Sequence, residues 1–173
     1  LANQITVQAQ FISKLVDFNV DCVLGGVAIN PQKERLDPNT KGQFKYGGPV
    51  DLMIATPGRL MEHIESTEGF AARLLGCQIL ILDEVDQLLE TGFQRNIEFI
   101  ISKLPKERQS MCFSATVPDR LKSVLGLALR DTHVVVDCVG EEDVDTHERI
   151  IQSLIVHPLE QTLLALYLTG CYC

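Results

Sequence analysis

The sequence has 173 residues, of which 46% are hydrophobic and 22% charged, and its formal net charge is −8. This length and composition fit one globular domain with a hydrophobic core. No apolar run approaches the roughly 18 residues that a membrane-spanning helix needs. The chain also does not begin with a basic segment followed by an apolar one, as a signal peptide does. We therefore expect no membrane contact and an intracellular protein, with the compartment left open.

The cysteines and the charges are less decisive than their numbers suggest. Four cysteines stand alone in apolar surroundings, and the last two form a CxC pair without a nearby partner for zinc, so we expect reduced thiols. Six acidic residues lie between positions 137 and 148 without a Lys or Arg among them, and removing them from −8 leaves −2. Such a stretch is typical of a solvated linker, so the net charge neither supports nor excludes RNA binding.

Hydrophobic periodicity and turn residues predict alternating helices and strands. In chain order we predict a helix over 3–18, a strand over 22–24, a long polar loop over 27–49 with a short helix at 32–36, a strand over 51–55, helices over 57–66 and 70–75, a strand over 79–82, a helix over 94–104, a strand over 111–113, a helix over 121–129, a strand over 134–136, a linker at 140–146, an apolar segment over 150–156 and a helix over 159–168.

Strands that are continuous apolar runs and alternate with helices indicate an α/β fold, with a parallel sheet covered by helices on both faces. Ligands of such folds bind beyond the carboxyl ends of the strands. Polar and glycine-rich segments follow four of the predicted strands directly, at 25–26, 56–59, 83–84 and 114–116. We therefore expect the functional site there.

The strand Ile79–Leu82 is followed at once by Asp83 and Glu84. An apolar strand that ends in two acids is a Walker B pattern, in which the Asp holds Mg²⁺ on nucleotide phosphates and the Glu activates water. Alone, the pattern is weak, because two exposed carboxylates at a strand end are an equally simple interpretation. The surrounding residues decide between the two.

The segment 83–93, DEVDQLLETGF, resembles motif II of DEAD-box RNA helicases and its continuation. The segments TPGRL at 56–60, SAT at 114–116 and GG at 25–26 resemble three further motifs of that family, in the family's order. Leu1-Ala2 is similar to the end of its PTRELA element. The resemblance covers about residues 1–138 and implies a RecA-like parallel sheet with ATP and Mg²⁺ as cofactors and RNA as partner.

The resemblance also implies a role for each motif residue. Asp83 would coordinate Mg²⁺ through water, Glu84 would be the general base, and Asp86 would bond toward the coupling motif. Ser114, Ala115 and Thr116 would couple hydrolysis to strand separation, although turn and cap residues are the structural alternative. The residues implied to contact RNA, through sugar and phosphate, are Gly25, Gly26, Thr56, Pro57, Gly58 and Arg59. For the two glycines a tight turn is the alternative, and for Arg59 a surface salt bridge.

The sequence departs from the family pattern in places. Val85 replaces the family's Ala, from which we expect little effect, and the 27–49 loop is long, which we interpret as a surface insertion and alternatively as an RNA or partner contact. None of the 12 glycines is followed by Lys, so the Walker A loop is absent from this stretch. We accordingly expect a partial first RecA-like domain over 1–138 without the phosphate-loop strand, an acidic linker over 139–149, and a connector or the start of a second domain over 150–173.

The expected activity is that of a full-length ATP-dependent RNA helicase that unwinds duplexes or remodels ribonucleoproteins as a monomer. For this stretch alone we expect no catalysis, exposed apolar strand and helix faces, and marginal stability. Two alternatives are a truncated regulator that binds RNA or a partner, and a helicase that acts on DNA.

Overall fold

The computed structural model describes residues 1–37, 49–116 and 119–138. Contacts divide the chain into one unit over Leu1–His133 and another over Val134–Cys173. Helices and strands alternate along the first unit, as predicted. They are α1 (Ala2–Ile12), β1 (Val20–Val23), α2 (Asn30–Leu36), β2 (Leu52–Ala55), α3 (Pro57–Ser66), α4 (Phe70–Leu74), β3 (Ile79–Leu82), α5 (Val85–Glu90), α6 (Gln94–Lys103), β4 (Gln109–Cys112) and α7 (Asp119–Ala128).

The four strands form two parallel pairs. In the first pair β1 lies beside β2, with Val20 opposite Leu52, and in the second β3 lies beside β4, with Ile79 opposite Gln109. Parallel pairing brings the carboxyl ends of both strands of a pair to the same edge, where the chain continues into the motif segments. The α/β class and the parallel strands are confirmed, but within the described residues the strands form two separate ladders and not one sheet.

Two hydrophobic clusters make up the core, and α6 contributes to both. One cluster packs α5, α6 and α7 against β3 and β4, and it includes Ile97 and Ile101 of α6. The other packs β1, α2, α3 and α4 together and includes Ile100 of α6. Apolar residues at successive positions of one helix point in different directions, so α6 joins the two strand pairs into one unit.

Apolar surface is left uncovered on both a strand and a helix, as the sequence predicts. Ile79 and Ile81 of β3 are 53% and 51% exposed, and Val7 and Phe11 of α1 are 61% and 59% exposed. The expected helical cover on both faces of the sheet is therefore incomplete at β3. The structure contains no helix, among the residues it describes, that is long and apolar enough to cross a membrane.

Two predicted elements differ clearly from the structure, and one helix of the structure is not among the predicted elements. The strand predicted at 134–136 is wrong, because these valines form no ladder and are between 77% and 84% exposed. The first helix ends at Ile12 and gives way to turns, and Leu15 and Val16 beyond it are exposed. Helix α5 was not predicted at all, because six residues are too few for a helical period to be visible. The 139–149 linker and the 150–173 segment lie outside the described residues, as do residues 38–48 of the 27–49 loop.

Val85, the residue at the family's Ala position, is completely buried in the cluster of α5, α6 and α7. Val85→Ala should lower the free energy of unfolding by about 2 kcal/mol, because it removes two buried methyl groups and leaves a small cavity. Urea denaturation followed by circular dichroism measures the change. Val7→Ala, the same change at an exposed position, should have almost no effect, and equal effects of the two variants would contradict the packing.

Candidate functional site

Asp83 and Glu84 lie directly beyond the carboxyl end of β3. The backbone N–H of Glu84 donates to Oδ1 of Asp83 at 3.1 Å, and Glu84 itself is exposed at the start of α5. Its backbone is left-handed, with φ 49° and ψ 52°, which costs a non-glycine residue about 1–2 kcal/mol. The Val85 N–H, which donates to the Phe113 carbonyl oxygen at 3.1 Å, holds this strained turn in place.

Asp86 is buried and reaches across to the segment that follows β4. Its Oδ2 accepts hydrogen bonds from the hydroxyl of Thr116 at 2.9 Å and from the Thr116 backbone N–H at 3.1 Å. The Thr116 hydroxyl is the main reason that the pKa of Asp86 lies below its ordinary value, because these bonds favour the carboxylate and outweigh the opposing effect of burial. The carboxylate of α5 thus anchors the strand end of β4.

Ser114 and Ala115 complete this segment and are exposed. The Ser114 hydroxyl donates to the Thr116 carbonyl oxygen at 2.7 Å, which turns the chain back toward Asp86. The ladder also continues past both strands, since the Phe113 N–H donates to the Leu82 carbonyl at 2.8 Å. The structure therefore bonds one predicted acid, Asp86, to the predicted hydroxyl residue Thr116, and the backbone bond from Val85 to Phe113 holds the turn of Asp83 and Glu84 beside the same strand end.

The first strand pair, β1 and β2, places two glycines beside the start of α3. Gly25 donates its backbone N–H to Oγ1 of Thr56 at 3.0 Å, and the Thr56 N–H donates to the Val23 carbonyl at 3.1 Å. Gly26 has a φ of +79°, a left-handed conformation that favours glycine. Thr56 is the N-cap and Pro57 the first residue of α3, as predicted, but the Thr56 hydroxyl accepts from Gly25 instead of capping its own helix.

Arg59 faces inward to a larger extent than the sequence suggests. Its side chain is 10% exposed, with Nε 2.9 Å from Glu62 Oε2 and Nη2 donating to the Val27 carbonyl at 2.7 Å. Its Nη1 is buried without a hydrogen-bond partner among the described residues. The salt-bridge alternative is thus present in the structure. The i,i+3 spacing of Arg59 and Glu62 could have indicated that ion pair from the sequence, but nothing in the sequence indicates the contact with Val27.

The beginning of α3 retains free backbone donors. The N–H groups of Gly58 and Arg59 have no acceptor within the part of the chain that the structure describes, as is normal for the first turn of a helix. A Cβ atom at Gly58 would lie 3.6 Å from the ring of Phe93, and the Asn96 amide donates to the Met61 sulfur at 3.2 Å. These contacts place the start of α3 beside the segment that follows α5.

The acids after β3 suit a hard cation. Asp83 and Glu84 supply carboxylate oxygens, and Mg²⁺ is commonly bound by one or two carboxylates together with phosphate oxygens and water. Within residues 1–37, 49–116 and 119–138, no cluster of three or more His, Cys, Asp or Glu forms an all-protein metal site. This donor set fits a magnesium ion that arrives with a nucleotide better than a permanently held metal.

Parallel strand pairs with paired acids and a hydroxyl segment beyond their carboxyl ends define the chain as part of a RecA-like α/β domain. A sequence model of the DEAD/DEAH box helicase family matches residues 1–124. DEAD-box ATP-dependent RNA helicase 31 of Arabidopsis thaliana is 40% identical over 168 residues, which cover 96% of this chain and 22% of that protein. DEAD-box ATP-dependent RNA helicase 25 of Oryza sativa subsp. japonica is 36% identical, with 96% and 27% covered.

The solved structures agree with the sequences. A crystal structure of a hypothetical ATP-dependent RNA helicase from Sulfolobus tokodaii superposes with a TM-score of 0.61 and 27% identity, over 75% of this chain and 35% of that one. The chain belongs to the DEAD/DEAH box helicase family. It spans between 18% and 30% of the length of the curated relatives that it matches.

Proposed function

We propose that this chain forms part of the first RecA-like domain, over residues 1–138, of an ATP-dependent RNA helicase that unwinds RNA duplexes or remodels ribonucleoproteins. In this proposal residues 139–149 are a linker and residues 150–173 lead toward a second domain. The observation that carries the proposal is the contact of the buried Asp86 with Thr116, because it joins the segment holding the acids to the segment implied to sense strand separation.

We assign a different role in ATP hydrolysis to each of the three acids Asp83, Glu84 and Asp86. Bound ATP–Mg²⁺ supplies the γ-phosphoryl group and the charge neutralisation that its transfer requires. Asp83 would hold the magnesium ion. Glu84, which is exposed and fixed by its strained backbone, accepts a proton from the attacking water. Asp86 stays ionised at neutral pH, since its pKa is lowered, and it holds Thr116.

The RNA contacts are assigned to the other strand pair. The free N–H groups of Gly58 and Arg59 at the start of α3 offer donors to a phosphate oxygen. The buried Nη1 of Arg59 has no acceptor among the residues that the structure describes, and it adds positive charge beneath them. Contacts to phosphate carry no sequence information, so we propose RNA of any sequence as the partner, with ribonucleoprotein proteins where they accompany it.

The test is to measure ATP hydrolysis and unwinding by the full-length protein on matched RNA and DNA duplexes. We expect hydrolysis that RNA stimulates and unwinding of RNA in preference to DNA. Equal activity on DNA would indicate a DNA helicase. RNA binding without any hydrolysis would indicate the regulatory alternative and refute the proposal.

Arg59→Gln separates the two interpretations of this residue. If the guanidinium neutralises a phosphate, RNA affinity falls for every sequence alike, and the slope of log affinity against log salt decreases by about one. Fluorescence anisotropy with single-stranded RNA at several salt concentrations measures both quantities. Arg73→Gln, on an exposed part of α4, is the matched control. An unchanged slope would leave Arg59 with the purely structural role.

A further inference from the structure

Behind the paired glycines lies a buried polar network that the helicase motifs do not include. His63 of α3 is fully buried, with Nδ1 2.8 Å from Thr67 Oγ1 and Nε2 3.2 Å from Gln32 Oε1. Gln32 of α2 is also buried, at 3% exposure. Its amide nitrogen donates to the carbonyl oxygens of Leu24 at 3.1 Å and Ala28 at 3.3 Å.

The bonding pattern determines the state of the imidazole. The Gln32 amide nitrogen donates to two carbonyl groups, which leaves the amide oxygen facing His63. An amide oxygen can only accept a hydrogen bond, so His63 Nε2 must carry the hydrogen. His63 Nδ1 then accepts from the Thr67 hydroxyl, and a neutral ring satisfies every partner. Burial is the main cause that lowers the pKa of His63 and favours this neutral form. The charge of Arg59 lowers it further, Glu62 opposes this, and Lys33 and Asp21 have lesser effects in opposite directions.

The two carbonyl groups that Gln32 binds stand on either side of the glycines. We call the segment Leu24–Ala28 the GG turn. On one side it is held by Thr56 and Arg59 of the α3 start, and on the other by the Gln32 amide. A reversed amide would direct its oxygen at two carbonyl oxygens, which is repulsive. His63 opposes that reversal, because its Nε2–H can donate to the oxygen end of the amide but not to the nitrogen end.

We propose that His63 is a positioning residue for RNA, acting through Gln32 to hold the GG turn against the start of α3. The inference rests on the proposed function, because it assumes that the GG turn and α3 contact RNA. His63 itself is buried and touches no ligand. The neutral ring locks the orientation of the amide, the amide closes the turn, and the turn keeps its backbone where a sugar-phosphate strand can approach.

Three variants of the full-length protein test this role. His63→Gln keeps an N–H that can reach Gln32, His63→Asn keeps only the reach to Thr67, and His63→Leu keeps neither. We expect His63→Leu and His63→Asn to weaken binding of single-stranded RNA about tenfold, corresponding to the loss of one buried hydrogen bond. We expect His63→Gln to restore most of the affinity. The KM for ATP should change little in all three, and His133→Leu, at an exposed histidine, serves as control.

A double-mutant cycle adds a second measurement. Gln32→Leu and His63→Leu should each weaken RNA binding, and their combination should be no worse than either alone, since both remove the same link. Equal RNA affinity of His63→Gln and His63→Leu, or additive losses in the cycle, would overturn the positioning role. If the wild-type protein neither binds RNA nor hydrolyses ATP, the proposed function fails and this inference fails with it. If the wild-type protein is an RNA helicase and the His63 variants bind RNA as tightly as it does, only the inference is refuted.

The pH dependence of stability tests whether His63 is buried as a neutral ring, the state on which the positioning role depends. The unfolded chain binds a proton at His63 below about pH 6.5, whereas the folded protein keeps the ring neutral to lower pH. The stabilisation is therefore complete above pH 6.5 and declines as the pH falls below it. His63→Gln should remove this part of the acid sensitivity, as measured by thermal unfolding between pH 7.5 and 5, and an unchanged profile would argue against a buried neutral histidine.

Discussion

Replacing Glu84 by Gln in the full-length protein should lower the kcat of ATP hydrolysis by about 10²–10⁴-fold, the usual contribution of a general base. The amide has nearly the size of the carboxylate, so the turn after β3 should survive. It cannot accept a proton from the attacking water, however. ATP binding should persist, because Asp83 and not Glu84 is assigned to the magnesium ion. Steady-state hydrolysis with saturating RNA measures the loss, and nucleotide titration measures the retained affinity.

Glu90→Gln is the matched control for this experiment. Glu90 ends the same short helix, α5, and is exposed, so the identical chemical change occurs within the same element without touching the proposed water. We expect wild-type hydrolysis. Comparable losses in both variants would point to a general effect on α5, and wild-type hydrolysis by Glu84→Gln would exclude Glu84 as the base.

Thr116→Val should separate hydrolysis from unwinding. Valine keeps the shape of threonine but loses the hydroxyl that donates to Asp86, while the backbone N–H at 3.1 Å remains. The link between α5 and the segment after β4 is thus weakened and not abolished. We expect the number of RNA duplexes opened per ATP hydrolysed to fall about tenfold, within the range of mutations that alter coupling between sites. Hydrolysis itself should change less.

The same variant has a spectroscopic signature at Asp86. Because the Thr116 hydroxyl is the main cause of the lowered pKa, its removal should raise the pKa of Asp86 toward the ordinary 3.8, as NMR titration of the carboxyl carbon can show. In the wild type the stabilisation from this group is complete above pH 3.8 and is lost as the pH falls through the lowered value. Thr132→Val, at an exposed threonine, should leave unwinding and titration unchanged. An unaltered pKa in Thr116→Val would contradict the hydrogen bond itself.

Local sequence signals were sufficient where a short segment determines its own structure. Thr56 and Pro57 start α3 where expected, because N-cap and first-turn preferences depend on neighbouring residues alone. The polar segments lie at the strand ends, as predicted, for a similar reason. The end of an apolar run bounded by turn residues predicts the end of the strand to within a residue or two.

The failures concern properties that depend on distant partners. The valines at 134–136 have strong strand propensity, but a strand also requires a neighbour that forms hydrogen bonds with it. Arg59 gives no sign in the sequence that it turns toward the Val27 carbonyl, 32 positions away. The contact of His63 with Gln32 spans 31 positions and is likewise not visible in the sequence.

Helix α6 has a consequence for how this unit loses its structure. Ile97 and Ile101 belong to one core cluster and Ile100 to the other, so neither strand pair can detach without uncovering a buried isoleucine of the same helix. The two ladders share no backbone hydrogen bonds among the described residues, but their packing on the same helix couples their unfolding. The segments that we propose for hydrolysis and for RNA binding therefore lie on two strand pairs that we expect to unfold together, because both pack against α6.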